Sequence, residues 1–315
     1  IEYALSSDIP ISPKKQITLL AALLIGILIP FGSIYLILLF NTKIQLKQEV
    51  DELNIGASVI GEIPFIDDED SRLFQNPKDR NILAESFRIL SSNINYLLPQ
   101  NTGTTDAKVI LSTSSVKGEG KSFVALNISL ALSSLDKKVL LIGADLRNPQ
   151  LHKYLGIDKS AQGLTSYLHN TNFEWKSAII NKFDNLPNHH TLLTGIIPPN
   201  ATQLLANGNF EKIISQAKKD YDYIVIDTAP TLLVTDTLLI SDHADVILYI
   251  CRSNFTEKEI LNYPKELIKD GKLKNVGLVI NSVGINARYH YGYTYKYGYS
   301  YNYGYGYGYT STIED

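Results

Sequence analysis

Residues 108–135 read KVILSTSSVKGEGKSFVALNISLALSSL, and this stretch decides the fold class. An apolar strand candidate, Lys108–Ser112, leads into a glycine-containing loop, and a helix candidate, Ser122–Leu135, follows at once. Phosphate-binding loops occur in this context of strand, glycine loop, Lys-Ser pair and helix. The glycines let backbone N–H groups turn toward phosphate oxygens at the N-terminus of the helix. The stretch therefore predicts a nucleotide-binding α/β domain.

The predicted nucleotide contacts come from this loop and the first helical turn. We expect the Lys121 amine to reach the β- and γ-phosphates and the Ser122 hydroxyl to bind Mg²⁺. The match to GxxxxGK(S/T) is incomplete, because Ser115 stands where Gly or Ala is usual. An ordinary turn before a helix is the alternative interpretation. The predicted cofactor-binding residues are Ser115, Val116, Lys117, Gly118, Glu119, Gly120, Lys121, Ser122 and Phe123.

Beyond Gly103, short apolar strands alternate with helical stretches, which predicts one doubly wound α/β domain with a mostly parallel sheet. The strand candidates are Lys108–Ser112, Val139–Gly143, Tyr223–Asp227, Asp245–Cys251 and Val276–Asn281, with Thr191–Leu193 as a weaker sixth. The helix candidates are Ser122–Leu135, Phe210–Lys219, Thr235–Asp242 and Thr256–Lys269. Upstream, Val59–Pro64 is rich in strand formers, and Asn81–Leu98 has helical apolar spacing with Glu85 and Arg88 as an i, i+3 pair.

Two of the predicted strands lead into carboxylates. Tyr223–Asp227 ends in Asp227, and Val139–Gly143 is followed by Ala144, Asp145, Leu146 and Arg147. Ligands bind at the carboxyl ends of parallel strands, so we expect both carboxylates near the nucleotide. Asp227 is then a second magnesium anchor, and Asp145 a base or a further metal anchor. A strand-end Asp can also cap a helix, and Arg147 either contacts phosphate or forms a structural ion pair with Asp145 or a neighbour.

An uncharged run, Ile17–Phe40, predicts a transmembrane helix. At 1.5 Å per residue it is roughly 36 Å long, enough to cross a hydrocarbon layer of ~30 Å. A buried core helix and a signal peptide are the alternatives. The lysines on its two sides balance, so charge does not orient it, and we expect the following ATP-using domain to be cytoplasmic. The predicted segments are 1–16 (periplasmic juxtamembrane), 17–40 (membrane helix), 41–58 (cytoplasmic linker), 59–285 (P-loop domain) and 286–315 (tyrosine-rich tail).

The C-terminal tail has a tyrosine at every second position. Alternating Tyr and small residues offer no apolar face to bury, so disorder is the expected state. The composition alone also fits a self-associating low-complexity segment. The predicted phosphoacceptors are Tyr289, Tyr291, Tyr293, Tyr295, Tyr297, Tyr299, Tyr301, Tyr303, Tyr305, Tyr307 and Tyr309.

Composition narrows the functional classes. The formal net charge of −3 leaves no basic footprint, so no nucleic-acid partner is expected. The single cysteine, Cys251, is expected to be a buried structural thiol. His189 and His190 are expected on a loop surface. The chain contains no methionine and opens on Ile1, which we interpret as a fragment of a longer protein.

The phosphate loop, the carboxylates of Asp145 and Asp227, and the tyrosine cluster, in that order, resemble the bacterial protein-tyrosine kinases (BY-kinases) of capsular and exopolysaccharide biosynthesis. The fold of that family is similar to that of the MinD and ParA ATPases. The resemblance extends from Ile9 to the C-terminus. Pro10 and Pro13 before the span look like the segment that precedes the second membrane helix of a polysaccharide co-polymerase. By this likeness, the chain is a fragment of a co-polymerase fused to its cytoplasmic kinase domain.

The resemblance assigns Lys121 and Ser122 to the Walker A motif, Asp145 to Walker A′ and Asp227 to Walker B. Glu85 and Arg88 match the start of the family's ExxRxxR oligomer motif. The chain departs from the family in three places: Gly143 replaces an additional Walker A′ Asp, Lys117 replaces a loop proline, and Ser91 replaces the second arginine of the oligomer motif.

The implied activity is an ATP- and Mg²⁺-dependent protein-tyrosine autokinase, with Lys121, Asp145, Asp227 and Arg147 as catalytic residues and Ser122, Asp145 and Asp227 as metal ligands. The resemblance implies a ring-like homo-oligomer with tail phosphorylation in trans, contact with membrane lipid and with the polysaccharide export and polymerisation machinery, and a cognate phosphatase. It places the chain in the bacterial inner membrane, with the kinase domain and tail in the cytoplasm. The alternatives are a membrane-tethered MinD/ParA-type ATPase switch and a non-catalytic regulator of polysaccharide chain length.

Overall fold

The structure is a computed structural model that describes residues 14–67, 73–74, 76–98 and 107–284. The chain divides into two units, Ile1–Thr42 and Lys43–Asp315. The tyrosine-rich segment lies outside the described residues, so the predicted disorder and phosphoacceptors remain predictions.

The first unit contains one long apolar helix, α1 (Lys15–Leu39). Its stretch Lys15–Leu36 is long and apolar enough to cross a membrane. None of its most apolar window is buried, and side chains such as Leu19 and Phe31 are each 71% exposed. A helix buried in a protein core would not expose such residues, so the structure disfavours the core-helix alternative.

The second unit is built on an eight-stranded sheet with the order β1-β8-β7-β2-β6-β3-β5-β4. Every neighbouring pair is parallel except β4 with β5. The strands are β1 (Ser58–Pro64), β2 (Lys108–Ser114), β3 (Val139–Gly143), β4 (Ile179–Ile180), β5 (His189–Leu192), β6 (Tyr223–Asp227), β7 (Val246–Arg252) and β8 (Val276–Val283).

Nine α-helices belong to the described part of this unit: α2 (Lys47–Glu52), α3 (Ile82–Leu97), α4 (Lys121–Ser133), α5 (Leu151–Leu155), α6 (Leu164–His169), α7 (Ala201–Ala206), α8 (Asn209–Ala217), α9 (Asp236–Ile240) and α10 (Asn262–Lys269). Short 3₁₀ turns cover Trp175–Ala178, Ser241–His243 and Lys258–Leu261.

Alternate residues of the central strands face two separate hydrophobic cores, one on each side of the sheet. In β2, for example, Val109 and Leu111 pack into one core and Ile110 into the other. Helices α3–α5 cover one face, and α2 with α6–α10 cover the other. Helix α4 is buried on nearly every side, so it carries no polar face. The predicted fold class, a doubly wound and mostly parallel sheet, is confirmed.

The predicted helix Thr256–Lys269 begins late, at Asn262. The Thr256 carbonyl accepts a hydrogen bond from the Ile44 N–H at 2.9 Å, and Glu257 forms a β-bridge with Lys43. These pairings keep Thr256 and Glu257 out of the helix, and a 3₁₀ turn, Lys258–Leu261, then precedes it. Pro264 then lies in the first turn, where its missing N–H has no helical partner to lose.

Part of the segment predicted as a linker is folded onto the domain. Ile44 and Val50 are 0% and 1% exposed, and both pack with Ile55 into the same core as α6–α10. The second unit accordingly begins at Lys43, upstream of the predicted start at 59.

The loop-surface prediction for the histidine pair is wrong for His189. This residue opens β5 and is buried, with its Nε2 2.8 Å from the Ser129 hydroxyl. Burial lowers the pKa of His189 to about 3. Cys251 is buried in β7 as predicted, and burial raises the pKa of its thiol.

Candidate active site

The loop between β2 and α4 has the backbone shape of an anion-binding loop. Gly118 and Gly120 have φ of +96° and +101°, a region that glycine adopts without strain. At Gly120 a Cβ would lie 2.0 Å from the Nδ2 of Asn281, so only glycine fits there. Gly120 also caps α4, which places the loop at the N-terminus of a buried helix.

Lys121 opens α4, and its amine lies between the two predicted carboxylates. The Nζ atom is 2.8 Å from Asp145 Oδ2 and 3.7 Å from Asp227 Oδ1. All three residues are buried, with Lys121 7% exposed and the carboxylates 1–2%. Because β3 and β6 are neighbours in register, Gly143 opposite Asp227, both acids lie at the same edge of the sheet. The structure therefore brings together the three charged residues that the sequence singled out.

The Asp227 carboxylate has room for a further positively charged partner. Its Oδ1 is buried and has no hydrogen-bond partner in the described structure. Burial raises the pKa of Asp227 to about 6, although the nearby Lys121 amine opposes the rise. This oxygen has the Lys121 amine at 3.7 Å, and the Ser122 hydroxyl interacts with the same carboxylate, so the two side chains suit Mg²⁺, which favours oxygen ligands.

The described residues contain no group of three or more His, Cys, Asp or Glu side chains able to hold a metal ion. A magnesium ion at this edge would need phosphate oxygens in addition to Ser122 and Asp227. Magnesium ions that accompany nucleotides are bound in this way, through one or two carboxylates plus the phosphates. The residues present thus fit Mg²⁺ together with a nucleotide.

Asp145 and Arg147 occupy a tight turn after β3. Asp145 Oδ1 accepts the backbone N–H groups of Arg147 and Asn148 at 3.2 and 2.9 Å. The Arg147 guanidinium pairs instead with Asp236, with Nε 2.7 Å from Oδ2 and Nη2 3.2 Å from Oδ1, and Nη2 also donates to Thr202 at 2.8 Å. Of the two interpretations of Arg147, the structure displays the ion pair with a neighbour.

Thr194 explains why Gly143 departs from the family pattern. A Cβ at Gly143 would lie 2.9 Å from the Thr194 Oγ1 and 3.1 Å from its backbone N. The same hydroxyl donates to the Gly143 carbonyl at 2.9 Å. An additional aspartate at 143 would clash with Thr194, so this chain keeps a single carboxylate after β3.

A cleft of about 900 Å³ opens above the loop. Of the predicted residues, it is lined by Lys117, Gly118, Gly120, Lys121, Ser122, Phe123, Asp145 and Arg147. Asp227 lies beneath Lys121, and the side chains of Ser115 and Glu119 are fully buried. The sequence reasoning missed Arg252 and Asn281 on the rim, at the carboxyl ends of β7 and β8. Their position at these ends was the available signal, because ligands bind there.

Ser115 has a structural reason to replace the usual glycine. Its hydroxyl lies 2.9 Å from the Tyr249 hydroxyl, which lies 2.8 Å from Thr231 Oγ1. All three residues are buried. The network joins the start of the phosphate loop to the segment that follows Asp227.

The predicted oligomer contacts lie on α3. Arg88 Nη1 is 3.3 Å from Glu85 Oε2, and Nη2 donates to the carbonyls of Pro77 and Asp79 at 2.8 and 2.6 Å. The Arg88 guanidinium also lies over the Phe74 ring, 5.2 Å from its centroid. Arg88 thus fixes the segment before α3 within its own chain, and its oligomer role stays a prediction.

Known proteins share this architecture. The family model described as an AAA domain matches residues 107–273, which is more than half of the chain. Two solved structures cover 76% of it: the chimerical protein CapA2B2 at 27% identity (TM-score 0.66, 99% of that chain) and the kinase domain of the Escherichia coli tyrosine kinase ETK at 22% identity (TM-score 0.64, 95% of that chain). The second likeness concerns the fold alone.

Curated relatives agree with the fold comparison. The putative tyrosine-protein kinase in the cps region of Klebsiella pneumoniae is 30% identical over 307 residues, 91% of this chain but 40% of that protein. The chain thus spans less than half the length of this relative. The tyrosine-protein kinase CpsD of Streptococcus agalactiae serotype III is 32% identical over 214 residues, 68% of this chain and 87% of that protein. The chain therefore belongs to the bacterial protein-tyrosine kinase family that its sequence resembles.

Proposed function

We propose that this chain is an ATP-dependent protein-tyrosine kinase that phosphorylates the C-terminal tyrosines of a neighbouring copy. The observation that carries the proposal is the buried cluster of Lys121, Asp145 and Asp227 beneath the phosphate loop. Buried charges carry a large desolvation cost, and carboxylates whose pKa is shifted, as that of Asp227 is, cluster at catalytic sites. The relatives named as tyrosine-protein kinases support the acceptor class.

Each residue has a task in this proposal. Mg²⁺·ATP would supply the γ-phosphoryl group, with ADP as the leaving group, and catalysis rests on position and electrostatics. The loop N–H groups would bind phosphate oxygens, and Ser122 with the Asp227 Oδ1 would hold the metal. Lys121 turns from Asp145 toward the phosphates when nucleotide binds. That turn frees Asp145 Oδ2, the oxygen now 2.8 Å from the amine, to accept the proton of the acceptor phenol.

The acceptor needs such a base because a tyrosine hydroxyl has a pKa of about 10. Asp145 Oδ1 stays engaged with two backbone N–H groups and keeps the carboxylate in place. Arg147, held by Asp236, stabilises the same turn from the rim of the cleft. The tail tyrosines from Tyr289 to Tyr309 supply the acceptors.

The wider role follows from the same proposal. The chain is anchored in the inner membrane by α1, with the kinase domain and tail in the cytoplasm, and regulates the export and polymerisation of capsular or exopolysaccharide. Each phosphate adds about −1.5 to −2 charges, so several phosphates concentrate negative charge on the tail and change how it docks on a neighbouring copy. Phosphorylation thereby loosens a ring-like oligomer, and a cognate phosphatase restores it. Light scattering before and after phosphatase treatment tests this step, and an unchanged oligomer mass contradicts it.

Incubation with γ-labelled ATP tests the activity. We expect label on tail tyrosine in the wild-type chain and none in Lys121→Met. The matched control is Lys137→Met, which removes an exposed lysine just beyond α4. Label released only as free phosphate would favour the ATPase switch, and absence of nucleotide binding would favour the non-catalytic regulator. Fluorescence of Trp175, the single tryptophan, checks that Lys121→Met is folded.

A further inference from the structure

The turn after β7, residues 252–256, touches the phosphate loop at three points. The Arg252 Nη1 donates to the Gly118 carbonyl at 3.0 Å. The Phe255 ring packs on Gly118, where a Cβ would lie 3.3 Å from Cζ of the ring. Thr256 Oγ1 donates to Glu119 Oε1 at 2.5 Å. We call this turn the clamp.

Glu119 is the residue of the phosphate loop that accepts a hydrogen bond from the clamp. Its side chain is fully buried, so it cannot contact a ligand in the cleft. While Oε1 accepts from Thr256, Oε2 accepts the Val116 N–H at 2.7 Å. Burial raises the pKa of Glu119, and these hydrogen bonds oppose that rise. One carboxylate thus joins the start of the loop to the clamp.

Further hydrogen bonds hold the clamp in place. The Arg252 N–H donates to Thr256 Oγ1 at 2.8 Å, which orients the hydroxyl toward Glu119. Ile44 pairs with the clamp through its N–H to the Thr256 carbonyl and its carbonyl to the Asn254 N–H, at 2.9 and 2.7 Å. The Glu119–Thr256 bond therefore connects the loop to a firmly held support.

The phosphate loop needs such a support. Two of its residues are glycines with positive φ, and glycine loses more backbone freedom on ordering than any other residue. A loop that is already ordered before ligand binding spares that entropic cost, which would otherwise weaken binding.

We infer that Glu119 and Thr256 are positioning residues that hold the N–H groups of the phosphate loop in their binding orientation. The inference rests on the proposed nucleotide-binding function and adds two residues whose side chains do not touch the nucleotide. It predicts that nucleotide affinity depends on a hydrogen bond buried behind the loop.

The test is calorimetric titration of the full chain in detergent with Mg·ADP. Thr256→Val keeps the shape but removes the hydroxyl, and we expect binding weaker by about tenfold, equivalent to about 1.4 kcal/mol. Thr256→Ser should restore the wild-type affinity. Ser129→Ala is the matched control, because it removes another buried hydroxyl bond, to His189, away from the clamp.

Unfolding followed by Trp175 fluorescence separates positioning from general stability. Thr256→Val and Ser129→Ala should both lower stability, whereas only the first should weaken Mg·ADP binding. Should Thr256→Val fail to fold, Glu119→Asp replaces it, since the shorter carboxylate cannot span Val116 and Thr256. Equal affinity of the wild-type chain and the clamp variants for Mg·ADP would overturn this inference but leave the proposed function standing. No binding by the wild-type chain would contradict the proposed function itself.

Discussion

Replacing Asp227 with asparagine should make the nucleotide-free protein more stable, although it removes a predicted catalytic residue. Asp227 is 1% exposed, and its Oδ1 has no hydrogen-bond partner in the described structure. The Lys121 amine is closer to Asp145, at 2.8 Å, than to Asp227, at 3.7 Å. The Lys121 charge therefore offsets only part of the cost of burying the ionised Asp227 carboxylate. Asparagine has nearly the same shape without the charge.

The magnitude follows from the pKa of Asp227. Burial raises it from 3.8 to about 6. A rise of roughly two pH units, at 1.36 kcal/mol per unit, corresponds to about 3 kcal/mol. Because the folded chain binds this proton more tightly than the unfolded chain, the contribution favours folding below about pH 4 and is lost as the pH rises through about 6. Asp227→Asn has no carboxylate to ionise at this position. Its free energy of unfolding should therefore exceed that of the wild type by about 3 kcal/mol above pH 7.

Urea unfolding of the full chain in mild detergent measures the difference. Trp175 is 3% exposed in the second unit, so its fluorescence reports unfolding of that unit. We expect the wild-type and Asp227→Asn curves to converge below about pH 4 and to separate progressively up to pH 8. The control is Asp242→Asn, which removes a carboxylate 78% exposed and 3.4 Å from Lys274. Such surface pairs contribute little, so its effect should be small at every pH.

A stability difference that is independent of pH, or an Asp227→Asn chain less stable than wild type at pH 8, would refute the reasoning. Either result would mean that the Lys121 charge compensates the burial of Asp227 in full. The orphaned oxygen would then not be the reason that a metal is attracted to this edge of the sheet.

Three further predictions concern other parts of the second unit. Gly120→Ala should destabilise the chain by more than about 1 kcal/mol and abolish Mg·ADP binding in calorimetry, because its φ is +101° and its Cβ would meet Asn281. Ile44→Ala should lower the free energy of urea unfolding by about 2–5 kcal/mol, and a change near zero would contradict its burial in the core. Arg147→Ala leaves the buried Asp236 carboxylate with Thr202 but without its charged partner and should lower that free energy by about 1–3 kcal/mol, whereas unchanged unfolding would show the ion pair to be dispensable.

The parts that local pattern determines could be predicted from the sequence. The bounds of β3 and β6 agree with the predicted strands, because each is a short apolar run that ends at a turn or a carboxylate. The convergence of Asp145 and Asp227 on Lys121 followed from one rule, that parallel strands present their carboxyl ends at the same edge. Register between β3 and β6 then brings the two acids together.

The contacts that sequence reasoning missed join residues far apart in the chain. The partner of Arg147 is Asp236, and that of Ser115 is Tyr249. No local periodicity reports such pairs. The unexpected Ser115 in the loop was a signal that a buried partner exists, but not which residue it is. The burial of Ile44 was missed for a related reason, since widely spaced apolar residues in a polar stretch predict a linker until their partners are known.

Residues 43–58, between α1 and β1, have a practical meaning for anyone who prepares the second unit without α1. A recombinant fragment that begins at residue 59 would lack Ile44, Val50 and Ile55, leaving bare the apolar patch that they cover. It would also lose the backbone partner of Thr256. Such a fragment should aggregate and should hold its phosphate loop less firmly, and weak nucleotide binding measured on it would say little about the longer chain.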